Sequence, residues 1–533
     1  MTETIQILLL LLAVLALVGV IARRLDTAPS ILLVIAGIGL ALIPGLPRIE
    51  LAPELVLLGI LPPLIYSAGV SMSWREFRFN LRPISLLAFG CVVFTTCAVA
   101  AGAHYLLGLP WPVAFLLGAI VSPPDVVAPL SIARRLGLPR RIVVILQGEG
   151  LANDATALIL FRFAVAAIST GMFSLPQAAA TFGAIVVGEL VYGIFIGWAS
   201  LQLRRWASDP RVEITLSLMT PYLAYWVPEH LGGSGVLATV AAGLYVSWNG
   251  PLLIPSATRL QGIFFWDLLI YIIEGLVFLV TGLQARVLYD QADRFALPEL
   301  LFATILTTAI VILARFVWMF PATYVPRWVS PSLRRRDPAP GWTYPFILAF
   351  TGVRGVVSLA AALAIPFTIA SGAPFPNRDL IIFVTFGVII ITLVGQGLML
   401  PSVVRWLGLG RDSEYERQRE RQAEMAARLT ALDIAQQRLQ ELAKERNLPD
   451  DVRTQLRARI QHRRQQLPAS ADGVTDNLRL GAKLRSELIA AERRHLHQLL
   501  RKGQITDEAR RRIERELDLE EQAILCGKDD PPL

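Results

Sequence analysis

Thirteen predominantly apolar segments follow one another through the first 410 residues, and they constrain the fold more than any other feature of the sequence. A helix needs about 20 apolar residues to cross a bilayer, with fewer or more where it is distorted or tilted. By that measure the segments are residues 4–22, 30–45, 52–70, 83–107, 111–133, 142–169, 175–203, 211–228, 235–248, 260–288, 296–325, 342–370 and 379–406. The sequence therefore predicts an all-α membrane protein with thirteen transmembrane helices.

Charged side chains divide the chain into two regions. They are sparse up to residue 410 and dense beyond it, and no lysine precedes Lys444. We therefore predict a transmembrane domain over residues 1–410 and a charged, helical regulatory tail over residues 411–533. The net charge of +8 does not indicate nucleic acid as a partner, because the positive charges of the first region lie in short loops.

Arginines indicate which loops face the cytoplasm. With the N-terminus outside, most loop arginines fall in internal loops, including the clusters at 134–135, 140–141 and 334–336. Positive residues favour the cytoplasmic side of a membrane. The opening apolar run has neither a basic leader nor a small-residue cleavage site, so we expect a retained helix. These features predict a multi-pass plasma-membrane protein with its tail in the cytoplasm.

Two apolar segments carry acidic side chains. The fifth contains VSPPD, in which Asp125 follows Pro123 and Pro124, and the sixth contains QGEGLANDAT, with Glu149 and Asp154. A carboxylate in hydrocarbon is costly and is usually kept because it handles ions or protons. The prolines remove two backbone donors, and broken helices are tolerated at membrane depth where they line a cavity. We predict a cation and proton site built from Asp125, Asp154 and exposed backbone.

A second interruption is predicted in segment 12, which reads FTGVRGVVS, with Gly352 and Gly355 on either side of Arg354. Segments 5 and 12 would occupy matching positions if six helices, one linker helix and six further helices formed two inverted repeats. Glycines in membrane helices also allow close packing without a break. The pattern is therefore open to both interpretations.

The position of a charged residue along its segment indicates how deep in the membrane it lies. Asp154 lies about 18 Å into its helix at ~1.5 Å per residue, and Asp125 and Arg354 reach a similar depth. These three groups are expected to meet at mid-membrane. By the same measure Arg162 lies near the outer surface, where it can snorkel, and Arg315 lies near the inner boundary with no role in transport.

Helical geometry separates the two acids of segment 6. Glu149 and Asp154 are five residues apart, or about 140° around the helix, so they cannot easily ligate one ion. We expect Asp154 to face the cavity and Glu149 to be free to pair with Arg354. A buried carboxylate can hold a proton or a small hard cation but hardly both, and that competition is the elementary step of an exchanger.

The stretches SPPDVVAP, GEGLANDA and TGVRGVVSLA, in this order, resemble the monovalent cation:proton antiporters, and in particular the bacterial Na⁺/H⁺ exchangers with Asn-Asp in the sixth helix. The resemblance implies a homodimer of thirteen-helix protomers and an elevator-like movement, without a cofactor. It also implies that Asp154 is the principal ion and proton carboxylate, assisted by Asp125, and that Asn153 organises the site. Glu149 and Arg354 would form a structural ion pair, and exchange would be electroneutral, one Na⁺ or Li⁺ for one H⁺.

Three positions depart from the family pattern. Pro124, Gly150 and Ser67 stand where relatives often have Thr, Ser and Glu. Backbone carbonyls, the Ser122 side chain or water would then have to complete the ion's shell. This leaves K⁺/H⁺ exchange as an alternative.

Two other classes of function are compatible with part of the pattern. An intramembrane aspartyl protease also needs two membrane Asp residues, but the chain lacks YD and GxGD motifs, so an enzyme is not expected. A sensor built on a transporter fold would signal through the tail, which contains no recognisable nucleotide-binding or catalytic motif.

Overall fold

The computed structural model describes residues 2–25, 27–44, 51–171, 174–207, 209–292, 297–369, 372–465, 476–501, 504 and 507–526. These residues form two compact units that divide after Leu409.

The first unit is helical throughout. Its helices are α1 (Thr2–Leu25), α2 (Pro29–Ala41), α3 (Leu61–Ser71), α4 (Trp74–Phe79), α5 (Leu81–Ser85), α6 (Val92–Leu107), α7 (Trp111–Val121), α8 (Val127–Arg135), α9 (Arg140–Thr170), α10 (Leu175–Ala207), α11 (Pro210–His230), α12 (Val236–Leu253), α13 (Ser256–Ala292), α14 (Leu297–Val329), α15 (Pro331–Arg336), α16 (Thr343–Phe350), α17 (Val356–Leu363), α18 (Arg378–Ile390) and α19 (Gly397–Leu407). Three π-helical stretches extend this set: Leu55–Ile60 leads into α3, Leu86–Cys91 joins α5 to α6, and Ile391–Gln396 joins α18 to α19.

A helix or a pair of helices occupies each of the thirteen predicted segments. Within the described parts of the chain, eight helices are both long enough and apolar enough to cross a membrane, and shorter apolar helices occur at Pro29–Ala41, Leu55–Ser71 and Trp111–Val121. The all-α membrane architecture is therefore supported. The number of crossings and the inverted repeat stay predictions.

Segments 5 and 12 each consist of two short helices. Segment 5 is α7 and α8, and segment 12 is α16 and α17. The second half of segment 12 is shorter than predicted: α17 ends at Leu363 rather than near residue 370, and Pro366, which cannot donate a backbone hydrogen bond, follows closely. Each interruption leaves about five residues of backbone outside a helix.

Small residues allow several helices to approach closely. α2 packs along α13, where a Cβ on Gly37 would lie 2.2 Å from the Leu279 carbonyl oxygen. α3 and α12 meet in the same way, with Gly69 against Gly243. Such contacts are typical of helix association in lipid, where there is no hydrophobic drive between helices and close packing takes its place.

The second unit contains α20 (Gly410–Glu445), α21 (Asp450–Gln465), α22 (Asp476–Arg501) and α23 (Asp507–Cys526). α20 contacts α21, and an ion pair joins Asp433 to Arg464. α22 and α23 share a small apolar core of Ile489, Leu496 and Leu517. The regulatory role and cytoplasmic location of this unit stay predictions.

Candidate functional site

The break between α7 and α8 is held together by side chains that bind backbone groups. Pro123 cannot donate to the Ala119 carbonyl, its helical partner four residues earlier, and the Ser122 hydroxyl donates to that oxygen instead at 3.2 Å. The predicted ion ligand Ser122 is thus buried and already engaged in repairing the helix end. Its hydroxyl oxygen keeps lone pairs, so a role as a ligand stays a prediction.

Arg354, on segment 12, donates hydrogen bonds to other carbonyl groups of the break in segment 5. Its guanidinium donates to the carbonyl oxygens of Val121, at 2.8 Å from Nε, and Ser122, at 3.1 Å from Nη2, and also to that of Gly352. Its backbone N–H donates to the Thr392 hydroxyl at 3.0 Å. The side chain is 1% exposed. One positive charge therefore binds carbonyls of both interrupted segments.

The two interruptions cross at Asp125. The Asp125 backbone N–H donates to the Val353 carbonyl at 2.7 Å, and its Oδ1 accepts from the Val127 backbone N–H at 2.9 Å, at the start of α8. A Cβ on Gly355 would lie 2.1 Å from Asp125 Oδ2. Only a residue without a side chain fits there, so Gly355 determines how closely the carboxylate approaches the start of α17.

α9 joins this crossing through adjacent residues. The Asn153 side chain, which is fully buried, donates from Nδ2 to the Pro124 carbonyl at 2.7 Å, and its Oδ1 accepts from the Asp154 backbone N–H at 2.7 Å. Gly150 faces Val126, where a Cβ would lie 2.2 Å from a Val126 methyl group. Asn153 therefore connects α9 to the break, and its predicted role in organising the site stays a prediction.

Asp125 and Asp154 remain as the free carboxylates of the site. Both are partly exposed, although their neighbours Ser122 and Asn153 are buried, and the two charges lie close enough to interact. Neither forms an ion pair with any arginine, lysine or histidine that the structure describes. An accessible pair of carboxylates at the crossing of two interrupted helices is a set of hard oxygen ligands, which suits a proton or an alkali cation.

The predicted ion pair of Glu149 with Arg354 is wrong. Glu149 binds Arg315 instead, with Arg315 Nη1 donating to Oε1 at 2.5 Å and Nη2 donating to Oε2 at 2.9 Å. Arg315 also donates from Nε and Nη2 to the Leu348 carbonyl near the end of α16, where the helix dipole favours a cation. Arg354 is unavailable to Glu149 because its guanidinium is directed at the break.

The sequence contained a signal for Arg315 that the prediction did not use. Arg315 lies ten residues from the predicted inner end of segment 11, or about 15 Å at ~1.5 Å per residue, so the assignment to the boundary was wrong. Its side chain is 1% exposed, and Gly352 packs against it, with a Cβ at that position 2.3 Å from Arg315 Cδ. Gly352 is thus needed for space beside an arginine, as well as lying in the interrupted backbone.

Glu274 on α13 was also missed. It lies deep inside apolar segment 10 and is close enough to Asp125 and Arg134 to interact with both charges. The criterion that selected Asp125, an acid within an apolar run, would have found it. The structure therefore adds a third carboxylate to the surroundings of the site.

Comparisons with known proteins show which family the chain resembles. The profile of one protein family, described as "Sodium/hydrogen exchanger, transmembrane", matches residues 9–406. An uncharacterized Na⁺/H⁺ exchanger of Mycobacterium tuberculosis is 33% identical over 519 residues, which cover 96% of this chain and 94% of that protein. The sodium, potassium, lithium and rubidium/H⁺ antiporter of Bacillus subtilis is 30% identical over 519 residues, covering 94% and 75%. The Na⁺/H⁺ antiporter ApNhaP of Aphanothece halophytica is 32% identical over 406 residues, covering 76% and 74%.

The fold also resembles a solved structure. The sodium proton antiporter MjNhaP1 of Methanocaldococcus jannaschii superposes with a TM-score of 0.59 at 18% identity, covering 76% of this chain and 98% of that one. At this identity the likeness concerns the fold.

Proposed function

The chain belongs to the transmembrane sodium/hydrogen exchanger family, whose members are antiporters and not enzymes, and from that premise we propose that it exchanges Na⁺ or Li⁺ for H⁺ at Asp154, assisted by Asp125. The observation that supports this best is the pair of unpaired, partly exposed carboxylates at the crossing of two interrupted helices. A carboxylate that already had an arginine partner, such as Glu149, could not easily release and rebind a cation.

The balance of charge supports a stoichiometry of one for one. Asp125 and Asp154 bring two negative charges. Glu274 near Asp125 is offset by Arg134, and Glu149 is offset by Arg315. The positive charge of Arg354, which is bound to the carbonyls of the break, then offsets one of the two aspartates. One Na⁺ or one H⁺ then makes this group neutral. Since a neutral group is the least costly to bury, the site favours carrying a single monovalent cargo in either direction. This is electroneutral exchange.

Alternating access would expose the site to one side of the membrane at a time. We propose that the helices carrying it, α7, α8, α9, α16 and α17, move in an elevator-like step together with α14, whose Arg315 is paired with Glu149, and with α5, which packs against α9. We further propose a homodimer in the plasma membrane, surrounded by lipid, with the second unit in the cytoplasm. In this scheme Asn153 and Arg354 preserve the crossing while the two carboxylates exchange cargo.

K⁺/H⁺ exchange is the second candidate. The Bacillus subtilis relative is named as an antiporter of potassium and rubidium as well as sodium and lithium. In this chain Pro124 precedes Asp125, and the Ser122 hydroxyl donates to Ala119, so few side-chain oxygens besides the carboxylates surround the site. A shell completed largely by water, which rearranges around ions of different size, would discriminate weakly between cation sizes.

Proteoliposomes with an imposed pH gradient test both candidates. Na⁺, Li⁺ and K⁺ are added in turn to the intact protein, to Asp154→Asn and to the matched control Asp379→Asn, which makes the same change at the start of α18. We expect Na⁺ and Li⁺ to dissipate the gradient with the intact protein and the control but not with Asp154→Asn. An equal response to K⁺ would establish the broader selectivity.

Clamping the membrane potential tests the stoichiometry. Electroneutral exchange should run at the same rate at zero potential and at an imposed potential, and a rate that follows the potential would exclude one-for-one exchange. If no cation moves protons across pH 6–9, the antiporter proposal fails, and the sensor interpretation replaces it.

A further inference from the structure

A small cavity lies away from the ion site, among helix ends that carry arginines. It has a volume of about 40 Å³, and its walls come from the start of α5, the start of α9, the end of α14 and the chain leading into α16. Arg82, Arg141 and Arg327 belong to its lining, together with apolar side chains such as Leu87 and Met319. The lining therefore combines strongly basic groups, which form its basic wall, with apolar side chains.

The carboxylate of Asp337 accepts hydrogen bonds from all three arginines. Asp337 Oδ2 accepts from Arg82 Nη2 at 2.9 Å, from Arg141 Nη2 at 3.0 Å and from Arg327 Nη2 at 2.7 Å. Burial alone would raise the pKa of Asp337, but the hydrogen bond and charge of Arg141 and the charges of Arg327 and Arg82 lower it overall. Asp337 is thus ionised at neutral pH, and the cluster keeps an excess of two positive charges.

One donor in this cluster has no acceptor. Arg82 Nη1 is buried and forms no hydrogen bond with the part of the chain that the structure describes. An unsatisfied buried donor on a charged group is costly, so such a group usually faces an unseen partner. The side chains of Arg82 and Arg141 are nevertheless 28% and 29% exposed, so the basic wall can be reached from outside the cavity.

We propose that this cavity binds a phosphate group, which Arg82 and Arg141 hold while Asp337 fixes their orientation. Planar guanidinium groups match phosphate oxygens through paired hydrogen bonds, and three of them converge here. The volume is about three times the ~10–15 Å³ that one water needs, which suits a group of this size. The loops concerned are predicted to face the cytoplasm, where anionic lipids are concentrated. The phosphate is that of an anionic lipid headgroup or of a free anion.

Binding would tie together the helices that carry the ion site. α9 begins beside the cavity and continues to Asp154, and α16 follows the cavity and leads to the interruption at Arg354. A bound phosphate bridging α5 and α9 would therefore hold α9, and with it Asp154, against α5. The inference does not depend on which cation is exchanged.

The test uses the intact purified protein in detergent and two phosphate sources. Inorganic phosphate is titrated at constant ionic strength, and phosphatidylglycerol is titrated against phosphatidylcholine in mixed micelles, with thermal unfolding and native mass spectrometry as readouts. We expect saturable stabilisation of the wild type. In Arg82→Gln we expect the apparent affinity to be weaker than in the wild type by a factor of about ten or more. The control is Arg335→Gln, which removes an exposed arginine from the same loop region.

The two arms identify the source of the phosphate group. A response to phosphatidylglycerol alone assigns a lipid headgroup, a response to inorganic phosphate alone assigns a free anion, and a response to both assigns the phosphate group as such. No response in either arm, or an equal loss in Arg335→Gln, overturns the proposal. Should Arg82→Gln fail to fold, Arg141→Gln takes its place with the same expected loss of affinity, and unchanged binding in that variant overturns the proposal.

Discussion

Arg315 and Arg354 lie at similar depth but bind different kinds of group. Arg315 neutralises a carboxylate, whereas Arg354 neutralises no carboxylate directly and binds carbonyl groups that the prolines and the break set free. The distinction leaves Asp125 and Asp154 without a fixed cation. Residue identity alone could not reveal it, because both are arginines inside apolar segments.

Asp125 has two tasks that different substitutions separate. Its Oδ1 accepts a hydrogen bond from the Val127 backbone N–H, and its charge contributes to the ion site. Asp125→Asn keeps an acceptor but loses the charge, whereas Asp125→Ala loses both. We expect both variants to lose transport in proteoliposomes and only Asp125→Ala to lose stability, by about 1 kcal/mol. Full transport by Asp125→Asn would show that the charge of Asp125 is not needed.

The Glu149 and Arg315 pair should behave as a unit. Removing one partner strands the other charge in a buried environment, which costs about 3–5 kcal/mol. We expect Arg315→Gln to be the more damaging single change, because Glu149 has both oxygens on Arg315 whereas Arg315 also binds Leu348. The double variant Glu149→Gln with Arg315→Gln should cost less than the sum of the single changes.

Denaturant unfolding in detergent measures this coupling. The same cycle for Glu149 with Arg354 is the control, since these two side chains share no hydrogen bond. A larger coupling for the second pair would restore the partnership predicted from the sequence.

At the scale of elements, the site is a crossing of two interrupted helices held by backbone contacts. Asp125 N–H meets the Val353 carbonyl, Asn153 reaches the Pro124 carbonyl from α9, and Gly355 lies against Asp125. Each of these contacts joins a non-helical residue to another element. The interruption thus creates both the ligands of the site and the means of aligning them.

Gly355→Ala tests whether that crossing is as close as the structure places it. The new methyl group would lie 2.1 Å from Asp125 Oδ2, so the carboxylate must move or α17 must withdraw. We expect at least a tenfold loss of exchange rate in proteoliposomes, because small misplacements at a site carry large costs. Gly395→Ala is the matched control, since nothing lies within 4 Å of its added carbon. Equal activity of the two variants would contradict the crossing.

The positions of these helices could be predicted from the sequence better than the side-chain contacts between them. Hydropathy located the helices that carry the site, the proline pair marked the first interruption, and the glycines allowed the second. The choice of Arg315 over Arg354 for Glu149 could not be predicted in the same way, because it depends on which arginine the freed carbonyls engage. That is a property of packing between segments more than 150 residues apart in the chain.

At the scale of the molecule, exchange requires the site to be closed on one side at a time. α9 carries Asp154 and, two turns further on, Arg162, which was predicted to snorkel into the interface. The structure pairs Arg162 with Glu229 on α11 and with the Gly233 carbonyl, 2.5 Å from Nη1. If α9 moves against α11 during transport, this contact can exist in only some of the states.

Glu229→Gln should therefore shift the protein towards states that are open on the outside. Weakening a partly exposed ion pair by about 0.5–1 kcal/mol changes a population about two- to fivefold. The measurement is the rate at which a membrane-impermeant maleimide labels Asp154→Cys from outside, with the native cysteines replaced. We expect that rate to rise two- to fivefold with Glu229→Gln and labelling from inside to slow.

A matched ion pair lies at the other end of α9, where Arg140 contacts Glu76 of α4 at 2.5 Å. Glu76→Gln removes a comparable charge and should leave labelling from outside unchanged, because that pair lies at the opposite end of the helix from Arg162. An equal rise in both variants would mean that any loss of charge loosens α9, and the outer pair would then have no specific part in closing the site. A rise in Glu229→Gln alone would mean that the position of α9 is coupled to the outer contact, as alternating access at Asp154 requires.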